Sequence, residues 1–297
     1  MFRSITMTAV AALMAAPAFA DGVNYARLSY DYSYYEDDSD DLDLGLLQGS
    51  VEYEVSQFLL SAEVLNFSRD GDNVETFYSA SGAYIFTPEA LAGIGVFGSN
   101  PEVGDSTSGF EVFGQYETPQ FGAAINVSQA DTDEDNITTT LYGEAAVAPG
   151  VKLGASLSTQ SEFDGTGYSL IAEYDEGPIF GRATIDSNSE DDGGLFGVRA
   201  SYDITPQIRA AAAYQTSYGD DFVDLSVFAI GGGYQVVEGL WVDASFGVID
   251  GDVFADEVNH VQASVTYELG TQKRIDDRFQ QAALDDIQAG LGLLFGF

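Results

Sequence analysis

The chain has 297 residues, carries 48 acidic against 10 basic side chains for a formal net charge of −38, and contains no cysteine. That charge makes nucleic acid a poor partner. The absence of thiols removes disulfide frameworks, cysteine nucleophiles and cysteine-based metal sites.

Residues 1–20 read as a secretory signal. Arg3 supplies the positive start, Ile5 to Pro17 are apolar, and Ala18-Phe19-Ala20 is a small-x-small cleavage site. Cleavage after Ala20 leaves a chain beginning at Asp21, and the apolar run is too short to span a bilayer as a helix. No later stretch has eighteen consecutive apolar residues, which excludes a transmembrane helix but not a transmembrane strand, because a barrel strand is only half apolar.

From Val23 onward the pattern has period two. Phe196, Val198, Ala200 and Tyr202 fall on one face of a strand, and Gly197, Arg199, Ser201 and Asp203 on the other. The turn Thr205-Pro206-Gln207 follows, with proline where the chain leaves the ladder. Ascending strands start near Val23, Phe58, Leu91, Phe121, Lys152, Ile179, Ile208 and Leu240. Descending strands end near Val55, Phe86, Glu117, Ala148, Asp175, Asp203, Gln235 and Leu269. This predicts about sixteen strands of roughly nine to thirteen residues, the length a tilted strand needs to cross a bilayer.

Tyr53, Tyr84, Tyr116, Tyr174, Tyr202, Tyr234 and Tyr267 recur in steps of 31, 32, 58, 28, 32 and 33 residues. The long step is two periods with one tyrosine missing, and Val147 sits near its midpoint. Each period holds two strands and two connections. A ring of aromatics on alternate strands is expected where a barrel wall meets the membrane interface. Connections alternate between short turns such as Thr87-Pro88-Glu89 and Thr118-Pro119-Gln120 and longer acidic loops, including Glu36 to Asp41, Asp131 to Asp135 and Asp250 to Glu257. Short periplasmic turns and long outer loops are the asymmetry of outer-membrane barrels.

The predicted fold class is therefore all-β: an antiparallel up-and-down transmembrane β-barrel of about 16 strands over residues 21–269. A soluble sandwich would bury one face in a shared core and would not keep a hairpin period across the whole chain, and a solenoid has a shorter repeat. In lipid every backbone donor and acceptor needs a partner, so the sheet must close, and at sixteen strands the interior is wide enough to hold water.

Residues 270–297 stand outside this count. Ile275, Phe279, Ala282, Ala283 and Ile287 lie at helical spacing, and Ile287, Ala289, Leu291, Leu293, Phe295 and Phe297 share one strand face. The tail forms further wall strands, lies in the periplasm, or enters the mouth, where Lys273, Arg274 and Arg278 would be drawn to an acidic lumen. Sequence leaves the three open.

This architecture resembles the Gram-negative porins, especially the general porins of α-proteobacteria, over residues 23 to 269. Pro101-Glu102-Val103-Gly104-Asp105 is similar to a segment of the porin third loop, which folds into the channel in that family. The resemblance implies constriction roles for Glu102 and Asp105, although the loop from Ser99 to Gly109 is short for crossing the lumen. It also implies an outer-membrane location, contact with lipid and lipopolysaccharide, delivery by the outer-membrane assembly machinery, and a homotrimer. Small residues such as Gly82, Ala123 and Ala212 on the lipid face would allow close packing.

Parity assigns the lumen. The residue after each girdle tyrosine points inward: Glu54, Ile85, Glu117, Asp175, Asp203, Gln235 and Glu268. Glu52, Glu63, Glu75, Glu111, Glu144, Glu173, Asp186 and Asp243 share that face, with Arg27, Arg69, Lys152, Arg182, Arg199 and Arg209 as the inward bases. Carboxylates around a wet mouth favour cations. The expectation is a passive porin for ions and small hydrophilic solutes, with a substrate-specific channel or a non-conducting structural or adhesion barrel as alternatives.

No cofactor is expected, except that the oxygen-rich outer loops suit Ca²⁺ or Mg²⁺. The single histidine, His260, is expected at a wet rim and not in a catalytic site. Gly231-Gly232-Gly233 lie inside a strand and relieve crowding there. Trp241 points inward beside Asp243.

Overall fold

Alternation between apolar and polar residues over most of the chain leaves each strand with two faces that want different solvents, and closure satisfies both at once. The computed structural model describes residues 23–36, 42–102, 106–131, 136–161, 165–190, 193–219, 225–251 and 257–270. The expected signal segment 1–20 and the tail beyond Gly270 lie outside the described residues, as do most of the acidic outer loops.

The strands are β1 (Val23–Glu36), β2 (Leu42–Val55), β3 (Phe58–Arg69), β4 (Asp72–Thr87), β5 (Ala90–Pro101), β6 (Thr107–Glu117), β7 (Phe121–Asp131) and β8 (Asn136–Ala148) in the first half. The second half has β9 (Val151–Gln160), β10 (Thr166–Glu176), β11 (Ile179–Asn188), β12 (Gly193–Thr205), β13 (Ile208–Gly219), β14 (Leu225–Val237), β15 (Leu240–Gly251) and β16 (Val258–Gly270). Each pairs antiparallel with its sequence neighbours. β1 pairs β16 from Tyr25↔Gly270 to Glu36↔Asn259, which closes the barrel. Among the described residues no helix is long and apolar enough to cross a membrane.

Several strands run longer than the expected span. β4 has 16 residues and β1 and β2 have 14 each. Ladder pairing continues past the apolar alternation wherever the neighbour still offers backbone groups, as at Arg69↔Asp72, where β3 and β4 join through the tight turn Asp70-Gly71.

The tyrosine period has a backbone cause. The residue after the girdle tyrosine donates its N–H to a carbonyl in the preceding short turn: Ile85 to Gln57 O at 2.8 Å, Glu117 to Glu89 O at 2.7 Å, Asp175 to Gly150 O at 2.7 Å and Glu268 to Gly239 O at 2.9 Å. Each tyrosine thus sits at a fixed height beside a turn. The same bond runs from Ala146 to Gln120 O at 2.8 Å, so the vacant girdle position is Ala145 and not Val147. Ala145 pairs with Phe121 as Tyr84 pairs with Phe58 and Tyr234 with Ile208. Val147 is skipped in the register before the turn, in the same way as Phe86, Ile204 and Val236. A bulge there adds one residue to the descending strand and re-aims its end, and Ala145 stands midway between Tyr116 and Tyr174.

Gly150, Gly177 and Gly239 have φ of 67°, 64° and 79° in the short turns, a region that glycine occupies without strain. Ser56 occupies the same conformation at φ 57°.

Candidate channel lumen

The two barrel faces differ in chemistry. Outward lie Val64, Ile94, Leu141, Leu170, Val198 and Phe228, all exposed, and the girdle tyrosines sit on the same face at the short-turn end. Tyr84 Oη donates to Gln57 Oε1 at 2.7 Å, and its ring meets Phe58 edge-on at 5.4 Å. This gives the tyrosine one apolar and one wet neighbour, as an interfacial aromatic requires.

The inward face divides into two arcs. From β7 to β12 most of the inward side chains are half-exposed, including Asn126, Thr140, Ser156, Glu173, Thr184 and Arg199, with Ala124 and Tyr142 buried among them. Glu144 accepts from Tyr142 Oη at 3.0 Å and lies 3.5 Å from Lys152 Nζ. In register, Lys152, Glu173, Arg182 and Arg199 stand side by side on β9 to β12, so three bases flank one acid. The Arg199 guanidinium also lies 5.5 Å from the Phe180 ring centre. Just before this arc, on β6, Glu111 Oε2 accepts from Asn126 at 2.7 Å, and Glu117 accepts weakly from Gln115 at 3.4 Å. Asp186 is half-buried, whereas Asp175 and Asp203 are exposed at the short-turn mouth.

On β13 to β16 and β1 to β3 the inward wall is covered. Val227, Val258, Ile249 and Leu44 are at most 3 % exposed, and Ser29 and Ser33 are equally buried. One rung crosses this arc: Arg209, Gly233, Asp243, Ser264 and Asp31 are successive register partners on β13, β14, β15, β16 and β1. Arg209 Nε and Nη2 donate to Asp243 Oδ1 at 2.8 and 2.6 Å. The same guanidinium stacks 4.5 Å from the Trp241 ring centre. A Cβ on Gly233 would collide with Asp243 Oδ1, so glycine is what lets the arginine lie across the intervening strand. Asp31 and Gly233 were not among the expected site residues. Parity from Arg27 finds Asp31, but Gly233 becomes readable only once the register is known.

The remaining inward acids and bases are spread around the wall. Glu52 is fully buried and accepts from Asn24 Nδ2 at 2.6 Å, and Glu63 accepts weakly from Gln48 at 3.4 Å. Glu54, Glu75 and Arg27 are half-buried, and Glu268 is exposed at the short-turn end. Arg69 is exposed at the opposite rim, 3.7 Å from its neighbour Asp70.

His260 does not sit at a wet rim. It is 1 % exposed and stacks on Tyr35 at 4.6 Å and 16°, because the β1–β16 register sets the two opposite each other on the inner face. Glu102 lies at the outer rim, exposed, with its N–H bonded to Val74 O at 2.7 Å. β5 extends to Pro101 and β6 begins at Thr107, so the connection holding Glu102 is too short to cross the lumen. Asp105 lies outside the described residues. Among the described residues no group of three or more histidine and acidic side chains is arranged to hold a metal ion.

A closed sixteen-strand barrel with an apolar outer wall, a tyrosine ring at its short-turn end and an inward face that is polar along β7 to β12 has the architecture of a transmembrane channel. Its fold is that of the outer-membrane porins. Pseudomonas aeruginosa OccK3 (OpdO) superposes with a TM-score of 0.56 at 12% identity, covering 82% of this chain and 95% of that one. A mutant of the Rhodopseudomonas blastica porin gives 0.55 at 15% identity, over 83% and 99%. Pseudomonas aeruginosa OpdQ gives 0.56 at 8% identity, over 84% and 99%. No family model and no curated protein matches the sequence.

Proposed function

We propose that this barrel is an outer-membrane channel for passive diffusion of ions and small hydrophilic solutes, with a preference for cations. The observation that carries the reading is the half-exposed polar arc from β7 to β12, facing inward in a closed wall whose outer face is apolar. A solute there exchanges bulk water for hydroxyls, amides and charges that are themselves hydrated, so no large desolvation barrier stands in its way. The acids on β6 to β12 and at the short-turn mouth outnumber Lys152, Arg182 and Arg199, which favours cations. The basic rung around Glu173 would make that preference modest.

The same reading includes export through a cleaved signal at residues 1–20 and insertion by the outer-membrane assembly machinery. It also includes contact of the acidic outer loops with lipopolysaccharide, directly or through Ca²⁺ or Mg²⁺. Trimer formation belongs to the proposal too.

The test is single-channel recording of the refolded mature protein in planar bilayers, with the reversal potential measured across a KCl gradient. Ohmic steps with a cation-favouring reversal potential are expected. Silence from a folded, heat-modifiable barrel would overturn the diffusion reading, and saturation of the current by one solute would replace it with a substrate-specific channel.

A further inference from the structure

We infer that lipid covers a second apolar ring, one row below the tyrosines, along β12, β14, β16, β2 and β4, while along β6 to β10 the bilayer boundary stays at the tyrosine row, so that the barrel leans in the membrane. The inference needs the outer wall to face lipid but not the pore to conduct. In five places a tyrosine is followed two residues later by an apolar side chain: Tyr53-Glu54-Val55, Tyr84-Ile85-Phe86, Tyr202-Asp203-Ile204, Tyr234-Gln235-Val236 and Tyr267-Glu268-Leu269. Val55, Phe86, Ile204 and Val236 are 47%, 61%, 58% and 49% exposed.

These side chains stay on the tyrosine face. Val55 pairs with the outward Phe58. At the other three the ladder skips a residue, and a bulge sets two residues of one strand against one of its partner. Phe86 and Thr87 lie opposite Ala90, and Val236 and Val237 opposite Leu240. The Phe86 ring meets the Tyr84 ring edge-on at 5.0 Å. The ring is therefore continuous with the apolar wall above it. Left in water, its surface would cost about 25 cal/mol per Å², and the lipid that meets the wall removes that cost.

Three neighbouring descending strands break the pattern. On β6 Tyr116 is followed by Thr118, whose hydroxyl donates to Phe121 O at 3.0 Å. On β10 Tyr174 is followed by Glu176, which is exposed and accepts from Tyr174 Oη at 3.4 Å. On β8 Val147 is apolar, but Ala145 stands where the tyrosine would be. Hydrocarbon does not tolerate an ionised carboxylate, so the boundary at β10 cannot pass below Tyr174. Closure sets β6, β8 and β10 across the barrel from β14, β16 and β2. One row is two residues, about 7 Å along a strand and about 5 Å along the barrel axis at a strand tilt of about 40°. Sixteen strands at that tilt make a barrel about 30 Å across, so a one-row step is a lean of about 10°. Interfacial anchors of this kind set how a membrane protein tilts.

The chain has no native cysteine, so a single nitroxide can be attached through Val55→Cys, Val236→Cys, Val147→Cys or Glu176→Cys, all at exposed positions. Val64→Cys on the mid-wall and Glu89→Cys in a short turn are the lipid and water references. With the barrel in phosphatidylcholine vesicles, collision with oxygen, which concentrates in lipid, is compared with collision with a water-soluble nickel chelate. Val55→Cys and Val236→Cys are expected to give the high oxygen-to-nickel ratio of Val64→Cys. Val147→Cys and Glu176→Cys are expected to drop to the low ratio of Glu89→Cys. Val147 and Val236 carry the same side chain at the same bulge position, so a difference between them reports the lean and not the residue type. Equal ratios at those two overturn the lean, and a low ratio at both Val55→Cys and Val236→Cys overturns the immersed ring. Nitroxides there that are immobilised and shielded from both reagents would mean that protein, a second copy or another chain, covers the ring, and would overturn lipid as its occupant. A low ratio at Val64→Cys would remove the lipid-facing wall itself and the inference with it, whereas a silent barrel with the expected ratios would remove only the diffusion reading.

Discussion

Arg209 reaches over Gly233 to hold Asp243, two strands away, with Nη2 2.6 Å and Nε 2.8 Å from the same carboxylate oxygen. Asp243 is 2% exposed, so its charge depends on this one guanidinium, and Trp241 backs the guanidinium from the other side. The glycine between them is therefore part of an ion pair to which it contributes no polar atom.

Gly233→Ala is expected to push the pair apart and destabilise the barrel by about 1–3 kcal/mol, the usual cost of overfilling a packed site. Arg209→Met should cost more, about 3–5 kcal/mol, because it leaves a buried carboxylate uncompensated. Adding Asp243→Leu to Arg209→Met should recover most of that loss. Urea midpoints of the lipid-reconstituted barrel check all three. A double variant as unstable as Arg209→Met alone would mean that the carboxylate has other work in the wall.

Ala145 marks the gap in the tyrosine ring, as fixed by the Ala146 N–H to Gln120 O bond. Ala145→Tyr is expected to stabilise the barrel by about 1 kcal/mol, within the range of an aromatic pair, through a ring set against Phe121 as Tyr84 is set against Phe58. Val147→Tyr, at the skipped bulge position, should give no such gain. The temperature at which the folded gel band converts to the unfolded one reports both.

Strand number, strand faces and short turns were legible in the sequence because two-solvent alternation and Gly/Pro turns are local signals. The step from Tyr116 to Tyr174 was readable as a double period whose midpoint is the vacant site Ala145, but the bulge that skips the nearby Val147 is marked by no composition rule. The lumen was harder to read. Parity fixes which face Glu144 or Arg199 occupies, but not its neighbours, which depend on register between strands tens of residues apart. Gly233 looked like spacing, and His260 like a rim residue, until the partners Asp243 and Tyr35 were known. The burial of Leu59 and Val227 was invisible for the same reason, since an inward leucine in a wide barrel is expected to be wet.

The two faces should tolerate charge unequally. Leu141, at mid-strand in β8, is 47% exposed on the outer wall, and its neighbour Thr140 faces inward and hydrogen-bonds Ser158 at 3.2 Å. Leu141→Arg is expected to cost about 2–4 kcal/mol, the price of a cation at the bilayer midplane. Thr140→Arg should cost less than half as much, since its guanidinium stays in water. Folding titrations in lipid vesicles compare the two. Equal costs would mean that the outer wall at this height does not face hydrocarbon.

Ion preference should respond to Glu144 and Lys152 in opposite directions. Their 3.5 Å contact lies on the half-exposed arc, with Lys152 also beside Glu173 in register. Glu144→Gln leaves the basic rung of Lys152, Arg182 and Arg199 less opposed and is expected to lower the cation-to-anion permeability ratio. Lys152→Gln is expected to raise it. Each change should be about twofold to fivefold at low salt, since a unit charge about 4 Å away in water is worth about 1 kcal/mol. The difference should shrink as KCl rises from 0.1 to 1 M, where the screening length falls from about 10 Å to about 3 Å. Reversal potentials of the two variants at both salt concentrations make the check. Shifts of the same sign, or shifts that persist at 1 M, would place the selective step away from this arc.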